Sequence, residues 1–246
     1  MNPSVSVIIP THNRAPLLRE AMASVLHQTY APREILIVDD GSTDQTREIV
    51  RALGDAAQYF FQTNRGPAAA RNMGIQKARG DVVAFLDDDD LWVPEALEWR
   101  IARLMDTRAP PAQIVLGLTQ RVNMTDLEPV FSPWAARVFG SAVMRREVFT
   151  QIGLLDEELQ YGEDGDWFLR AREQEISLVF VPQVVMLYRI HAQSLMSDTR
   201  RAKWYMLQVV KKSLARRTDV GTGNVQLLAE LPEVQELSDI VQGKRE

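Results

Sequence analysis

Val82-Val83-Ala84-Phe85-Leu86-Asp87-Asp88-Asp89-Asp90 places an apolar stretch directly before four aspartates, here called the aspartate run (residues 87–90). The apolar stretch is typical of a buried strand, and ligands of open α/β sheets bind beyond the carboxyl ends of strands, where these acids lie. Four adjacent carboxylates repel one another, so a fold keeps them together only where a cation or solvent compensates. They indicate either a solvated acidic loop or a divalent-cation site. Apolar Leu91-Trp92 on the far side favours the cation site.

The residues before and just after the aspartate run alternate between strand and helix patterns. Short apolar runs predict strands at 5–9, 34–38, 58–62 and 82–86. A helix is predicted after each strand, beginning near Pro16, Ser42, Pro67 and Pro94. Ser42 and Gln45 have capping-box spacing, and Gly80 is predicted to cap the third helix at its end. Four alternations in the first ~105 residues predict a parallel sheet with helices on both faces.

The pattern is less regular beyond Arg108. Strands are predicted at 113–118, 140–144, 177–181 and 184–187. Helices are predicted at 146–152, from Phe168 to about Gln174, and at 199–217. Residues 123–136 lack periodicity and are predicted to form a loop. Because the sequence has no internal repeat or low-complexity linker, the second half is expected to pack directly on the first.

Composition argues against several classes of protein. The formal net charge is -5 and the pI about 5.4, which does not indicate a nucleic-acid partner. The chain has no cysteine, which excludes disulfides and thiolate metal sites. It shows neither a signal-peptide pattern nor an apolar run of ~18–20 residues, so a soluble cytoplasmic protein is expected.

Two predicted strand ends carry adjacent carboxylates, and parallel strands bring both to one edge of the sheet. Asp39-Asp40 follows the second strand, and the aspartate run follows the fourth. Asp87 and Asp89 reach one side of a turn, and such oxygen ligands favour Mg²⁺ or Mn²⁺ bridged to a di- or triphosphate. Asp39 is suitably placed to accept hydrogen bonds from a base or ribose. Arg71 is interpreted either as a base or phosphate contact or as a surface ion pair.

Several ordered motifs resemble those of family 2 glycosyltransferases. They are VSVIIPTHNR at 5–14, EILIVDDGSTD at 34–44, NRGPAAARN at 64–72 and GDVVAFLDDDD at 80–90. Glu163-Asp164 followed by Asp166-Trp167 resembles the family's acceptor-side motif, and Tyr188-Arg189-Ile190-His191 resembles a later element. The resemblance covers about residues 4–195.

This resemblance implies an α/β protein with the GT-A fold, whose Rossmann-like nucleotide-binding half has a mostly parallel sheet continuous with a smaller acceptor-binding half. It implies a metal-dependent, inverting transfer of a sugar from a nucleotide-sugar donor to an acceptor hydroxyl. UDP is the preferred nucleotide, with GDP and dTDP as alternatives, and the product would be a cell-envelope polysaccharide, a lipid-linked glycan or another glycoconjugate. The two halves are expected at 1–105 and 106–198, followed by a C-terminal helical extension at 199–246.

Matching positions imply the donor side of the site. The residues that resemble nucleoside contacts are Thr11, Asp39 and Arg71. Asp87 and Asp89 match the ends of the family's D-x-D motif, with Asp89 as the direct ligand of Mn²⁺ or Mg²⁺ and Asp87 on the donor. Asp88 takes the middle position and is assigned to the donor site, although Asp88 and Asp90 form an alternative D-x-D pair. His191 is interpreted either as a second metal ligand or as a loop histidine in ordinary polar contacts.

Asp164 matches the family's general base. An inverting displacement needs one such carboxylate to deprotonate the acceptor hydroxyl as it attacks. Glu163 and Asp166 lie beside it in sequence. The other interpretation of this cluster is a helix N-terminus enriched in acids, which the helix dipole favours.

Other functional classes do not fit particular features of the sequence. A sugar nucleotidyltransferase or a Rossmann dehydrogenase needs a glycine-rich loop after the first strand, and PTHN at 10–13 does not supply one. A catalytically silent nucleotide-sugar-binding protein would not need both the aspartate run and Asp164.

The predicted helix at 199–217 carries seven basic residues beside an apolar stripe. One interpretation is an interfacial helix that docks on anionic lipid at the inner face of a membrane. The interpretation that we favour is a helix that packs its stripe on the protein and leaves its charges in water.

Overall fold

The computed structural model describes residues 2–191 and 199–219 of the chain. Residues up to Val209 form one compact unit, and a second unit begins at Val210. The strands are β1 (Val5–Thr11), β2 (Glu34–Asp39), β3 (Gln58–Phe61), β4 (Val82–Phe85), β5 (Leu91–Trp92), β6 (Ile114–Asn123), β7 (Ala142–Arg145) and β8 (Leu178–Ile190). The helices are α1 (Ala15–Leu26), α2 (Thr46–Arg51), α3 (Pro67–Lys77), α4 (Ala96–Met105), α5 (Val148–Ile152), α6 (Glu163–Glu173) and α7 (Thr199–Asp219).

The eight strands of the described residues form a single sheet in the order β3-β2-β1-β4-β7-β6-β8-β5. β1 pairs in parallel with β2 and with β4, and β2 pairs in parallel with β3. β7 is antiparallel to β4 and continues the sheet through β6 into β8. The predicted parallel sheet in the first part of the chain is therefore confirmed.

Both faces of the sheet are buried. Val7 and Ile9 of β1 belong to a cluster packed against α1 and α4, whereas Ile8 belongs to the opposite cluster with α3, α5 and α6. Burial on two faces explains why the strands have continuous apolar runs. Gly74 of α3 lies so close to β1 that a Cβ atom would stand 2.4 Å from Ile8 Cγ2. This contact holds Arg71, about one turn earlier, near the carboxyl end of the strands.

The carboxyl ends of β1, β2 and β4 meet at one edge of the sheet, as predicted. The Asp40 amide donates to the Thr11 carbonyl at 2.9 Å, and the Leu86 amide donates to the Ile8 carbonyl at 3.1 Å. The Thr11 hydroxyl donates to Asp88 Oδ2 at 2.7 Å across the same edge. The two acidic strand ends therefore flank the end of β1.

Two predictions of helix boundaries are wrong. Ser42 does not cap α2, because its hydroxyl accepts a hydrogen bond from the Asn13 amide at 2.9 Å. Gly80 does not cap α3; a Cβ atom there would lie 2.6 Å from the Ser6 nitrogen, so Gly80 allows two backbones to approach closely. In both places a long-range contact uses a residue that the local pattern assigned to a cap.

The strand pattern of the second half also differs from the prediction. β8 is one continuous strand where two strands at 177–181 and 184–187 were predicted. Its pairing with β6 shifts register between Leu116 and Leu118, where an irregularity accommodates Pro182. β5, directly after the aspartate run, pairs with β8 and was not predicted.

The start of α7 packs one side on the rest of its unit. Tyr205 and Val209 are buried, whereas Trp204 and Leu207 are exposed. No helix among the described residues is long and apolar enough to cross a lipid bilayer. Membrane docking of residues 199–217 and the division at 105 and 198 stay predictions, and residues 220–246 of the expected extension lie outside the described residues.

Candidate active site

The aspartate run closes a turn at the end of β4. The Asp90 amide donates to the Asp87 carbonyl at 3.1 Å, which brings carboxylates from the two ends of the run together. One oxygen each from Asp87, Asp89 and Asp90 lie within 4.8 Å of one another. Three carboxylate oxygens fit the ligand preference of Mg²⁺ and Mn²⁺. The sequence had named Asp90 only within an alternative D-x-D pair, because the turn that brings it back is not visible in the motif.

Asp88 has a different environment from its three neighbours. Its carboxylate accepts hydrogen bonds from the Thr11 hydroxyl at 2.7 Å and from the Arg14 guanidinium at 3.0 Å. Burial, and then the adjacent Asp89, raise the pKa of Asp88 to about 7, although Arg14 and Thr11 oppose this shift. The two sequence-predicted donor residues Thr11 and Asp88 are thus brought together and bind each other.

Cationic or ionisable side chains from distant parts of the sequence lie beside the aspartate run. Arg14 donates to Asp89 Oδ2 at 2.5 Å, and His191 Nε2 lies 3.1 Å from the same oxygen. Burial lowers the pKa of Arg14, but the carboxylates of the run outweigh it and raise that pKa. Arg189 is buried, donates through its guanidinium to the Asp89 carbonyl and to Glu20, and donates its amide to Asp90 Oδ1 at 3.1 Å. These side chains supply positive charge and hydrogen bonds that compensate the four adjacent carboxylates.

Asp39 lies buried at the end of β2, on the side of the site predicted for the nucleoside. Its carboxylate accepts hydrogen bonds from the Ser42 amide at 2.7 Å and from the Tyr59 hydroxyl at 2.6 Å. Burial and the hydrogen bond to Asp39 raise the pKa of Tyr59. A carboxylate has about four lone-pair sites, so Asp39 retains capacity for a further donor. Nothing in the sequence motif indicated Tyr59 as its partner.

Asp40 holds the loop that leads into α3. It accepts hydrogen bonds from Gln62 Nε2 at 2.7 Å and from the amides of Arg65 and Gly66 at 2.8 Å each. Gly66, at φ 93°, lies directly before α3 in a conformation that suits glycine. The second acid of the Asp39-Asp40 pair therefore orients α3, which carries Arg71.

Arg71 joins the aspartate run to α6. Its buried guanidinium donates one hydrogen bond to Asp87 and another to Glu163, and it lies 5.9 Å from the ring centre of Phe139. Burial lowers the pKa of Arg71, but Asp87 and Glu163 outweigh this effect and raise it. The interpretation of Arg71 as a surface ion pair does not describe its pair with Glu163, in which both side chains are buried, whereas its other partner, Asp87, is 40% exposed.

Asp164 lies at the start of α6, next to the Arg71–Glu163 pair. Gly162 precedes the helix at φ 77°, in the left-handed region, and lets the chain turn into the site. Asp164 Oδ1 accepts from the Gly165 amide at 2.7 Å. Burial, and then the Glu163 carboxylate, raise the pKa of Asp164 to about 7, with Arg71 opposing. Among the described residues, Asp164 forms no ion pair, whereas Glu163 binds Arg71 and Asp166 binds Arg170 at 2.9 Å.

Sequence reasoning missed the residues that hold this arrangement together. Arg14 stood within the first motif and Arg189 within the last, but neither was assigned a role. Glu163 was noted only as a neighbour of Asp164. The available signal was charge balance, because a run of four acids requires cations, and the motifs that flank the acids contain arginines.

The fold is similar to that of solved GT-A glycosyltransferases. A mannosyltransferase from Pyrobaculum calidifontis, solved in complex with GDP-Man and Mn²⁺, superposes with a TM-score of 0.71 at 26% identity, over 87% of this chain and 65% of that chain. The S. aureus TarS fragment 1–349, solved with UDP-GlcNAc, superposes with a TM-score of 0.68 at 22% identity, over 84% of this chain and 65% of that one. The GT-A fold implied by the sequence motifs is confirmed.

Sequence comparison assigns the family. The profile of Glycosyl transferase family 2 matches residues 6–139, more than half of the chain, so the chain belongs to this family. A protein described as an uncharacterized glycosyltransferase from Rickettsia typhi is 33% identical over 209 residues, which cover 77% of this chain and 65% of the relative. EpsJ of Bacillus subtilis, also described as an uncharacterized glycosyltransferase, is 29% identical over 219 residues, covering 79% of this chain and 63% of the relative. The chain thus spans about two thirds of the length of these relatives.

Proposed function

We propose that this chain is an inverting glycosyltransferase that moves a sugar from a nucleotide-sugar donor to an acceptor hydroxyl. The observation that carries the proposal is Arg71, whose guanidinium binds a carboxylate of the oxygen cluster on one side and Glu163, the neighbour of Asp164, on the other. The proposed cation site and the Asp164 carboxyl, whose pKa is raised, would therefore lie on either side of one buried guanidinium. Membership of family 2 and the likeness to a mannosyltransferase solved with GDP-Man and Mn²⁺ support it.

The donor side consists of the residues at the three strand ends. Asp87, Asp89 and Asp90 would hold the divalent ion, Mn²⁺ or Mg²⁺, with His191 beside Asp89. When bound, such an ion neutralises charge on the departing diphosphate. The residues proposed to bind the nucleoside and sugar are Thr11, Asp39, Arg71, Asp87 and Asp88. Within this set Arg71 also fixes the position of Asp87.

The acceptor side is centred on Asp164. Its carboxylate removes the proton of the acceptor hydroxyl while the hydroxyl oxygen bonds to the anomeric carbon. The bond between that carbon and the diphosphate oxygen breaks on the opposite face, and its electron pair leaves with the nucleoside diphosphate. A base with a pKa near 7 suits this role, because it is both available and sufficiently basic near neutral pH.

The donor is proposed to be a UDP-sugar, with GDP and dTDP sugars as alternatives. The acceptor is proposed to be a growing polysaccharide, a lipid-linked glycan or another glycoconjugate. The place of action is proposed to be the cytoplasm, with peripheral contact at the inner face of a membrane as the alternative. Residues 1–105 would supply the donor half and residues 106–198 the acceptor half.

A thermal-shift panel of nucleotide sugars with and without Mn²⁺ tests the donor proposal. A ligand at 100 times its Kd stabilises the folded state by about 2.7 kcal/mol, which raises the melting temperature by several degrees. We expect a UDP-sugar to give this shift only when Mn²⁺ is present. If no nucleotide sugar shifts the melting temperature under either condition, the proposed function is wrong.

Asp89→Asn is expected to abolish the metal-dependent part of that shift. The substitution removes one charged ligand oxygen, so the donor should stabilise the variant no more with Mn²⁺ than without it. The matched control is Asp81→Asn at the other end of β4, where the carboxylate binds the Ser4 amide at 2.9 Å. The control should keep the full Mn²⁺-dependent shift. An Asp89→Asn variant that also kept it would place the ion elsewhere.

The pH dependence of transfer should follow the deprotonation of Asp164. Because the pKa of Asp164 is raised to about 7, kcat/KM is expected to rise about tenfold per pH unit below pH 7 and to level off above it. The folded carboxyl binds its proton more tightly than the unfolded one, whose pKa is near 3.8. Stability from this group is therefore present at low pH and decreases as the pH rises from about 4 to about 7. A kcat/KM that was constant between pH 5 and pH 8 would contradict this assignment.

A further inference from the structure

Arg121 on β6 is held between aromatic rings. Its guanidinium carbon lies 4.5 Å from the ring centre of Trp134 and 5.6 Å from that of Phe131. The loop that carries both rings folds back along the part of β6 that extends beyond its pairing with β7. The Val130 amide donates to the Arg121 carbonyl and the Trp134 amide to the Thr119 carbonyl, each at 3.0 Å. Backbone pairing therefore places the rings against the guanidinium.

This cluster lies beside the proposed active site. Trp134 packs edge-on against Tyr188, with ring centres 6.5 Å apart and an interplanar angle of 78°. Tyr188 is the register partner of Arg121 in the parallel pairing of β6 with β8, and it directly precedes Arg189, whose amide donates to Asp90 Oδ1 at 3.1 Å. The cluster therefore adjoins the end of the aspartate run.

The stacked guanidinium is suited to bind an anion. Stacking on a ring face leaves the N–H donors of arginine pointing outward in its plane, in the fork that matches a carboxylate or a phosphate. Within the part of the chain that the structure describes, the Arg121 side chain forms no hydrogen bond or ion pair, and it is only half-buried. The rings beside it offer apolar surface for the C–H face of a sugar.

We propose that Arg121, Trp134 and Tyr188 form an acceptor subsite that binds an anionic group, a carboxylate or a phosphate, on the sugar acceptor. The inference deepens the proposed function and rests on it, since it assigns the class of acceptor that would be presented to Asp164. A uronic acid and a sugar phosphate share the required chemistry.

Binding of matched acceptor probes tests the subsite. The probes are methyl glucoside, methyl glucuronide and methyl glucoside 6-phosphate, which differ only at C6. Their dissociation constants are measured by ligand-detected NMR in the presence of Mg²⁺ and the nucleotide that stabilises the chain most in the thermal-shift panel. We expect at least one anionic probe to bind the wild-type chain about ten- to hundredfold more tightly than methyl glucoside. The anionic probe that binds more tightly than methyl glucoside shows whether the subsite prefers a carboxylate or a phosphate.

The Arg121→Gln variant should lose this preference. The Arg121→Lys variant keeps the positive charge but lacks the planar pair of N–H donors, so it should keep only part of the preference. Arg108→Gln, which removes an exposed arginine paired with Asp106, is the charge-matched control and should keep it fully. Melting temperatures of all variants are compared first; if Arg121→Gln is unfolded, the Lys variant carries the test.

Two results would overturn the inference. In the first, the wild-type chain binds the anionic and neutral probes equally well, or binds none of them. In the second, the Arg121→Gln variant keeps the preference for the anionic probe. A nucleotide response in the panel without an anionic preference rejects this inference alone. If no nucleotide sugar shifts the melting temperature in the thermal-shift panel, the proposed function itself is rejected.

Discussion

Replacing Asp164 with asparagine is expected to lower the rate of sugar transfer about 10²–10⁴-fold while leaving metal-dependent nucleotide binding intact. Asparagine has nearly the same shape but cannot accept the proton of the acceptor hydroxyl. The substitution also leaves the oxygen cluster formed by Asp87, Asp89 and Asp90 unchanged. The two measurements are kcat for transfer and the melting-temperature shift with donor and Mn²⁺.

Asp166→Asn is the matched control on the same turn of α6. Asp166 is buried and binds Arg170 at 2.9 Å, so this variant should lose stability but retain its rate of transfer when assayed well below its melting temperature. Transfer by Asp164→Asn at the wild-type rate would show that another group is the base. Glu163 would then be tested, although its ion pair with Arg71 makes it less available.

Replacing Arg71 with glutamine is expected to lower the free energy of unfolding by about 3 kcal/mol. Without the guanidinium, Glu163 is left as a buried carboxylate with no compensating charge. Asp87 contributes less, because its side chain is 40% exposed and solvent screens it. Urea unfolding at pH 7, with the midpoint and slope fitted together, measures the change.

Arg65→Gln provides the comparison, since Arg65 also pairs with a carboxylate near the start of α3. The Arg65–Glu157 pair lies at the surface, with side-chain exposures of 57% and 39%, so its loss should cost only about 0–1 kcal/mol. The double variant with Arg71→Gln and Glu163→Gln should regain part of the stability lost in Arg71→Gln, because no buried charge is then left alone. Equal losses in the Arg65 and Arg71 variants would contradict the buried network.

The convergence of acids at one sheet edge was predictable from local patterns. Strand runs, turn residues and helical spacing predicted the alternation, and parallel strands necessarily bring their carboxyl ends together. Local patterns therefore place Asp39 and the aspartate run at one edge of the sheet. The assignment of Asp164 depended instead on the family motif, because an acid at a helix N-terminus has an ordinary explanation.

Other features were not predictable because they depend on contacts far apart in sequence. Four consecutive aspartates look equivalent, yet a turn directs Asp88 to Thr11 and Arg14 while Asp90 returns towards Asp87. Backbone turn geometry after β4 makes this distinction, and no periodicity encodes it. The aromatic environment of Arg121 likewise arises from a loop with no regular pattern.

Residue order alone was sufficient for the parallel sheet, its acidic edge and the family of the chain, because periodicity, turn chemistry and motifs are local properties. The folded chain was needed to show which charges compensate one another. Arg71 and Glu163 are 92 residues apart, and a guanidinium carries no sequence signal for its partner. Only the packing of α3 and α6 against the same sheet brings the two within hydrogen-bonding distance, and this contact is what links the donor side of the proposed site to Asp164.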